Sequence, residues 1–200
     1  MNPRAIDQAQ LRLARLVLAE EALCLAKTYE ALESAWVDFL TAASTIYSKL
    51  EQGAKGFGPS EAWYGRKKNE RRTDELLRYI HHARNSEEHG IDDVTQRWDE
   101  HRYLTPNGDV FGINVPHGEA ITDLHFVGAD GERIEMNGVI NPLIKLVEVH
   151  DWRYRDSFAP PKTHLGENLP EVIDPAYIAS LARQYLIAII DEAKTLVPKS

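Results

Sequence analysis

The stretch RAIDQAQLRLARLVLAEEALCLAKTYEALESAWVDFLTAASTIYSKLEQ, residues 4–52, decides the fold of this chain. It contains neither glycine nor proline and is rich in alanine, leucine and glutamate, which are strong helix formers. Apolar residues recur at helical spacing over residues 13–24 and again over residues 32–47. The pattern predicts either one very long helix or two helices with a break near residues 27–29, and it places Cys24 in the core.

Beyond this stretch, local signals divide the chain into a helical part and a β-like part. Residues 53–64 are rich in glycine and predict a connector, which we expect to pack on the helices through its Trp63 and Tyr64. Thr73 is a plausible cap for the next helix, and Gly90 a plausible stop.

Short β-like runs follow that helix. They cover residues 110–115, 121–127 and 133–136, with a turn signal at residues 128–131, and residues 143–149 favour either a strand or a short helix. Residues 158–169 predict irregular chain laid across the bundle, and Asp174-Pro175 predicts the start of the last helix.

Composition narrows the class of protein. The chain has 200 residues, of which 43% are hydrophobic and 27% charged, which fits a globular domain. A net charge of −8 disfavours a protein that coats nucleic acid by bulk charge, although a local basic patch remains compatible with it. The single cysteine, and a first segment without a secretion pattern, lead us to expect a cytoplasmic protein that does not span a membrane.

The most informative motif lies near the end of the helix that ends before Gly90 and reads Arg84-Asn85-Ser86-Glu87-Glu88-His89. Helical spacing puts Arg84 in line with the apolar stripe of this helix, so its guanidinium needs an anionic partner, either a carboxylate or a bound phosphate. A purely structural interpretation pairs Arg84 with Glu88, four residues on, and leaves His89 in the last helical turn.

This motif resembles the signature of the HEPN superfamily, whose members carry Arg, four to six residues, then His, often with Asn, Asp or His after the Arg. The resemblance implies a four-helix bundle, here with a helical core at about residues 5–92 and 174–196. A β insert at about residues 101–160, between the third and fourth helices, falls outside the common core. We therefore expect a mainly α protein that forms a single domain over residues 1–200.

The resemblance also implies a function, that of a metal-independent endoribonuclease with a composite site between two copies of the chain. Arg84 would hold the phosphate, His89 would transfer protons to and from the RNA, and Asn85 would orient one of these groups. Such proteins often act as toxins or in phage defence, with a protein antitoxin as a further possible partner. The alternative is a non-catalytic HEPN-like module that dimerises or binds RNA.

A basic stretch directly before the motif adds an RNA-binding hypothesis. Basic groups beside Trp63 and Tyr64 suit single-stranded RNA, whereas the structural interpretation is a solvated charged helix. The candidate contacts are Arg66, Lys67, Lys68, Arg71, Arg72, Arg78 and His82. The eight histidines show no metal-ligand spacing, and no phosphate-binding glycine loop is present, so we expect neither a metal nor another cofactor.

Overall fold

The computed structural model describes residues 1–90, 93–98, 100–104, 110–114, 124–127, 130–131, 133–136, 143–170 and 175–198. Within these ranges the chain forms five helices, α1 (Pro3–Leu25), α2 (Tyr29–Ala54), α3 (Gly58–Thr73), α4 (Glu75–His89) and α5 (Pro175–Thr195). The fold is therefore mainly helical, as predicted, with short strands between α4 and α5.

The first two helices form a hairpin, which confirms the two-helix alternative for residues 4–52. The break falls where predicted, because Ala26 leaves α1 with an extended backbone and Thr28 caps α2 by accepting a hydrogen bond from the backbone N–H of Ala31 at 3.2 Å. The expectation for Cys24 was wrong, since its side chain is exposed while the neighbouring Leu23 faces the core.

The prediction of a connector at residues 53–64 was also wrong, and for this reason the described residues form five helices rather than four. The helix α2 continues through Gly53, and the real connection is a short turn in which Gly56 adopts a φ of +81°. Pro59 then suits the first turn of α3, because that turn needs no amide hydrogen from it. Trp63 and Tyr64 are buried, as expected, but they lie on a helix.

The helix that carries the motif, α4, begins one residue later than predicted. The cap is Asp74, whose Oδ1 accepts a hydrogen bond from the backbone N–H of Leu77 at 2.9 Å, and Thr73 instead ends α3. Gly90 follows the last residue of the helix, as predicted.

The β segment consists of antiparallel pairs and begins earlier in the chain than predicted. It lies between α4 and α5, and because α3 is a helix it follows the fourth helix rather than the third. The strands described are β1 (Thr95–Trp98), β2 (Glu100–Leu104), β3 (Val110–Asn114), β4 (Leu124–Val127), β5 (Arg133–Met136), β6 (Leu143–Leu146), β7 (Val149–Asp151), β8 (Asp156–Phe158), β9 (Thr163–His164) and β10 (Glu167–Asn168).

Pairing in this segment joins β1 to β6, β2 to β3, β4 to β5, β7 to β8, and β9 to β10. The predicted runs at residues 110–115, 121–127 and 133–136 each contain a strand. Residues 143–149 contain β6, so the strand alternative holds there. Asp174 and most of the predicted turn at residues 128–131 lie outside the described residues.

Two elements of this segment pack on α4 and so position the candidate site. The β7–β8 hairpin contacts α4, as does the chain around β9. In the second contact, Oε2 of Glu75 accepts hydrogen bonds from the backbone N–H groups of Lys162 at 2.8 Å and Thr163 at 3.1 Å. The carboxylate of Asp74 also pairs with Nδ1 of His164 at 3.0 Å. Residues 158–169 thus pack against the start of α4, but the prediction of irregular chain was wrong in part, because β9 and β10 pair within this segment.

Candidate functional site

The polar half of α4 is anchored to the β7–β8 hairpin by one buried carboxylate. Oδ2 of Asp151 lies 2.7 Å from Nδ1 of His82 and accepts a hydrogen bond from the Asn85 side-chain amide at 2.8 Å. Asp151 is only 1% exposed, and His82 and Asn85 are also buried. Since His82 and Asn85 are three residues apart, they share one face of the helix and reach the same carboxylate.

The other oxygen of Asp151 shapes the hairpin turn. Its Oδ1 accepts a hydrogen bond from the backbone N–H of Arg153 at 3.0 Å, and its backbone carbonyl accepts one from the N–H of Tyr154 at 3.0 Å. Burial raises the pKa of the Asp151 carboxyl, but the hydrogen bonds from His82, Asn85 and Arg153 outweigh burial and leave the pKa below its usual value. Asp151 is therefore ionised near neutral pH.

The imidazole of His82 is fixed by aromatic packing as well as by Asp151. Its ring stacks on Phe158 with centroids 3.6 Å apart and meets the edge of Tyr154 at 5.1 Å. Burial lowers the pKa of His82 and outweighs the opposing effect of Asp151. His82 is thus neutral near pH 7, with its Nδ1–H donating to the carboxylate.

The motif residues Arg84 and His89 lie at the end of the same helix, toward solvent. The guanidinium of Arg84, whose side chain is 24% exposed, forms an ion pair with Glu88. Oε2 of Glu88 also lies 3.0 Å from Nε2 of His89, and Arg153 of the hairpin donates a hydrogen bond to that same nitrogen. We call Arg84, His89 and Arg153 the α4 basic cluster.

The arrangement places the three predicted catalytic residues in different environments. Asn85 points into the molecule and is held by Asp151, whereas Arg84 and His89 lie at the surface around Glu88. The partner anion that the sequence demands for Arg84 is therefore a carboxylate, Glu88, in this structure. A phosphate that entered the site would have to compete with that carboxylate for the guanidinium.

The predicted RNA-binding residues divide into an inward and an outward group. Lys67 bridges Glu70 at 3.1 Å and Glu192 at 3.0 Å, and Arg71 lies over the Tyr47 ring at 4.5 Å. The pKa of Lys67 is raised because these two carboxylates outweigh the effect of its burial. The residues Arg66, Lys68 and Arg72 are exposed on α3, and Arg78 lies half-buried, 5.9 Å from the centre of the Phe158 ring.

One element next to the motif was missed by the sequence reasoning. Between β7 and β8 the chain reads Trp152-Arg153-Tyr154-Arg155, and all four residues are exposed. The missed signal was the alternation of aromatic and basic residues in a turn, which is typical of surfaces that contact nucleic acid. We call residues 152–155 the hairpin tip.

Comparison with protein-family models, curated proteins and solved structures found no match to this chain. In the described part of the chain, each helix is too short or too polar to cross a lipid bilayer. Within the same ranges, no three His, Cys, Asp or Glu side chains are grouped so that they could hold a metal ion.

Proposed function

We propose that this chain is an RNA-binding module that does not cleave its ligand. The observation that carries the proposal is the contact between Arg153 and His89, which brings the basic hairpin tip against the Arg84–His89 motif. Arg84, Arg153 and His89 together offer two exposed or half-exposed guanidinium groups and an imidazole on one surface. Guanidinium groups match the oxygens of a phosphate in geometry and charge.

The contacts that the motif residues make within the protein favour RNA binding over RNA cleavage. Catalysis of the kind implied by the HEPN resemblance needs Asn85 free to orient a reacting group, whereas binding of a phosphate needs only the basic side chains. Here Asn85 is buried and held by Asp151, whereas Arg84 is paired with the exposed Glu88, a carboxylate with which a phosphate can compete for the guanidinium. Asn85 therefore docks the hairpin on α4, and Arg84 is left as a phosphate contact.

Removal of two charges from the α4 basic cluster tests the proposal. Binding of a labelled mixed-sequence RNA of about 12 nucleotides is measured by fluorescence anisotropy at several salt concentrations. The variant Arg84→Gln/Arg153→Gln is expected to bind at least about tenfold more weakly, with a salt slope lower by about one unit for each lost phosphate contact.

The matched control for this experiment is Arg4→Gln/Arg15→Gln, which removes two exposed arginines from α1. It changes the net charge equally, so it should retain nearly wild-type affinity if binding is local to α4. Equal weakening by both variants, or no RNA binding by folded wild-type protein, would contradict the proposal.

A second candidate function is the metal-independent endoribonuclease, which the exposed imidazole of His89 beside Arg153 favours. It predicts cleavage of RNA in EDTA, with 2′,3′-cyclic phosphate and 5′-hydroxyl ends, that is lost in His89→Ala. It also predicts a homodimer in solution, because the composite site needs two copies. Intact RNA after incubation with wild-type protein, at concentrations where binding is saturated, favours the non-cleaving module.

A further inference from the structure

The hairpin tip exposes two large aromatic rings that the fold does not use for its core. Trp152 is 58% exposed and Tyr154 is 62% exposed. By contrast Trp36 and Trp63, which lie on α2 and α3, are at least 96% buried. Large aromatic side chains left in solvent next to charged groups are typical of a surface that is covered by a ligand.

The tip is held in one conformation before any ligand binds. Asp151 fixes the turn through the backbone N–H groups of Arg153 and Tyr154. The Tyr154 ring meets His82 edge to face, and the Trp152 ring packs against His150 with centroids 4.3 Å apart. Preorganised rings lose little side-chain entropy on binding, so contacts with them contribute more to affinity.

The backbone of the tip also carries a strained residue. Arg155 adopts a φ of +52°, a left-handed conformation that side chains other than glycine rarely take. Such residues persist where the surrounding structure enforces them and are frequent in ligand-binding loops. Here the left-handed conformation of Arg155 completes the turn directly before β8 begins at Asp156.

We propose that the hairpin tip is a base-stacking site for single-stranded RNA. Trp152 and Tyr154 stack on unpaired bases, while Arg153 and Arg155 contact the flanking phosphates. Bases in a duplex already stack on each other, and only single-stranded segments can lay a base against a protein ring. The inference rests on the proposed RNA-binding function and assigns its base-contacting residues.

Single substitutions at the two rings test the assignment. For a labelled single-stranded RNA, Trp152→Ala and Tyr154→Ala are each expected to weaken binding about tenfold while the salt slope stays unchanged. A mere loss of charge or of positioning would alter that slope. The conservative variant Trp152→Phe is expected to restore most of the affinity, because phenylalanine keeps a stacking face.

Two further readouts separate stacking from other causes. RNA should quench tryptophan fluorescence in wild-type protein, and the quenched signal that is lost in Trp152→Phe is the part that reports on this ring, since Trp36 and Trp63 are buried. A blunt RNA duplex of the same length should bind more weakly than the single strand. Single-stranded DNA serves as a parallel probe that shows whether the 2′-hydroxyl contributes.

The matched control is Tyr177→Ala, which removes a ring that is 42% exposed on α5. This variant should bind as the wild type does. If wild-type protein binds RNA and the tip variants bind equally well, the stacking assignment is overturned while the proposed function stands. If folded wild-type protein binds neither RNA nor DNA, both proposals fail, and the exposed rings mark a contact with another protein instead.

Discussion

At the scale of single residues, Asp151 links the motif helix to the hairpin. Its carboxylate accepts hydrogen bonds from Asn85 and Arg153 and pairs with His82, while almost none of its surface is exposed. A buried carboxylate with three partners is stabilising only as long as all of them remain in place. The residue therefore acts as a structural anchor for both the α4 basic cluster and the tip.

Replacement of Asp151 by alanine should cost about 2 to 3 kcal/mol in the free energy of unfolding, because buried donors on His82 and Asn85 lose their acceptor. Urea denaturation measures this change. The control Asp156→Ala removes an exposed carboxylate from the same hairpin and should change the free energy by less than about 0.5 kcal/mol. Similar losses in the two variants would show that Asp151 is not the anchor.

His81 makes the stability of the fold sensitive to acid. Burial lowers the pKa of His81 to about 3, and Arg71 and His82 act in the same direction. In the unfolded chain a histidine binds a proton below about pH 6.5. Between these values the unfolded state binds the extra proton, so the free energy of unfolding falls as pH decreases through that window.

The variant His81→Gln should therefore lose less stability than the wild type between about pH 7 and about pH 5. Urea denaturation at several pH values within this range provides the measurement. The control is His89→Gln, which removes an exposed imidazole from the same helix. A wild-type pH dependence that survives in His81→Gln would rule out this residue as its source.

At the scale of elements, the close approach of α1 and α2 depends on a glycine. A Cβ on Gly53 would overlap the Cβ of Ala5 and lie 3.0 Å from Sδ of Met1. The backbone carbonyl of Gly53 also accepts a hydrogen bond from the N–H of Asn2 at 2.9 Å. The glycine that looked like part of a flexible connector is thus a packing position inside a helix.

Two glycine-to-alanine substitutions test this packing directly. We expect Gly53→Ala to lower the free energy of unfolding by about 1 to 3 kcal/mol, because Ala5 has no flexible atoms that could move aside. Gly65 lies inside α3, where nothing is within 4 Å of an added Cβ. Gly65→Ala should therefore raise the free energy of unfolding by about 0.5 to 1 kcal/mol. Thermal or urea unfolding measures both changes, and a loss in both variants would refute the packing argument.

At the scale of the whole molecule, the charge of −8 opposes any polyanionic ligand. RNA binding must then depend on the local positive charge of the α4 basic cluster. Glu88 lies within this cluster and reduces its positive charge. Oε2 of Glu88 pairs with Arg84 and lies 3.0 Å from His89. An exposed ion pair four residues apart on a helix contributes only about 0.3 to 0.5 kcal/mol to the free energy of unfolding, so its loss should leave the fold intact.

The variant Glu88→Gln should bind single-stranded RNA about threefold to tenfold more tightly than the wild type, because Arg84 becomes available for a phosphate contact. Anisotropy titrations in low salt provide the measurement. The neighbouring Glu87→Gln is the matched control, since it removes the same charge from an adjacent exposed position. An equal gain in the two variants would show that only the net charge matters.

The sequence by itself determined the features that arise from local interactions. Helix propensity over residues 4–52, the break near Thr28, the stop at Gly90 and the β-like runs after it are set by neighbouring residues. The motif Arg84-Asn85 to His89 was also evident from the sequence, which left a carboxylate and a phosphate as alternative partners of Arg84.

Only the tertiary structure decided which groups meet across long stretches of chain. Asp151 lies 66 residues from Asn85, and Arg153 lies 64 residues from His89, so no periodicity could pair them. The same reason explains the inward turn of Lys67 toward Glu192 and the close contact of Gly53 with Ala5. Burial and packing assign these partners, because the energy of a buried polar group depends on every element that surrounds it.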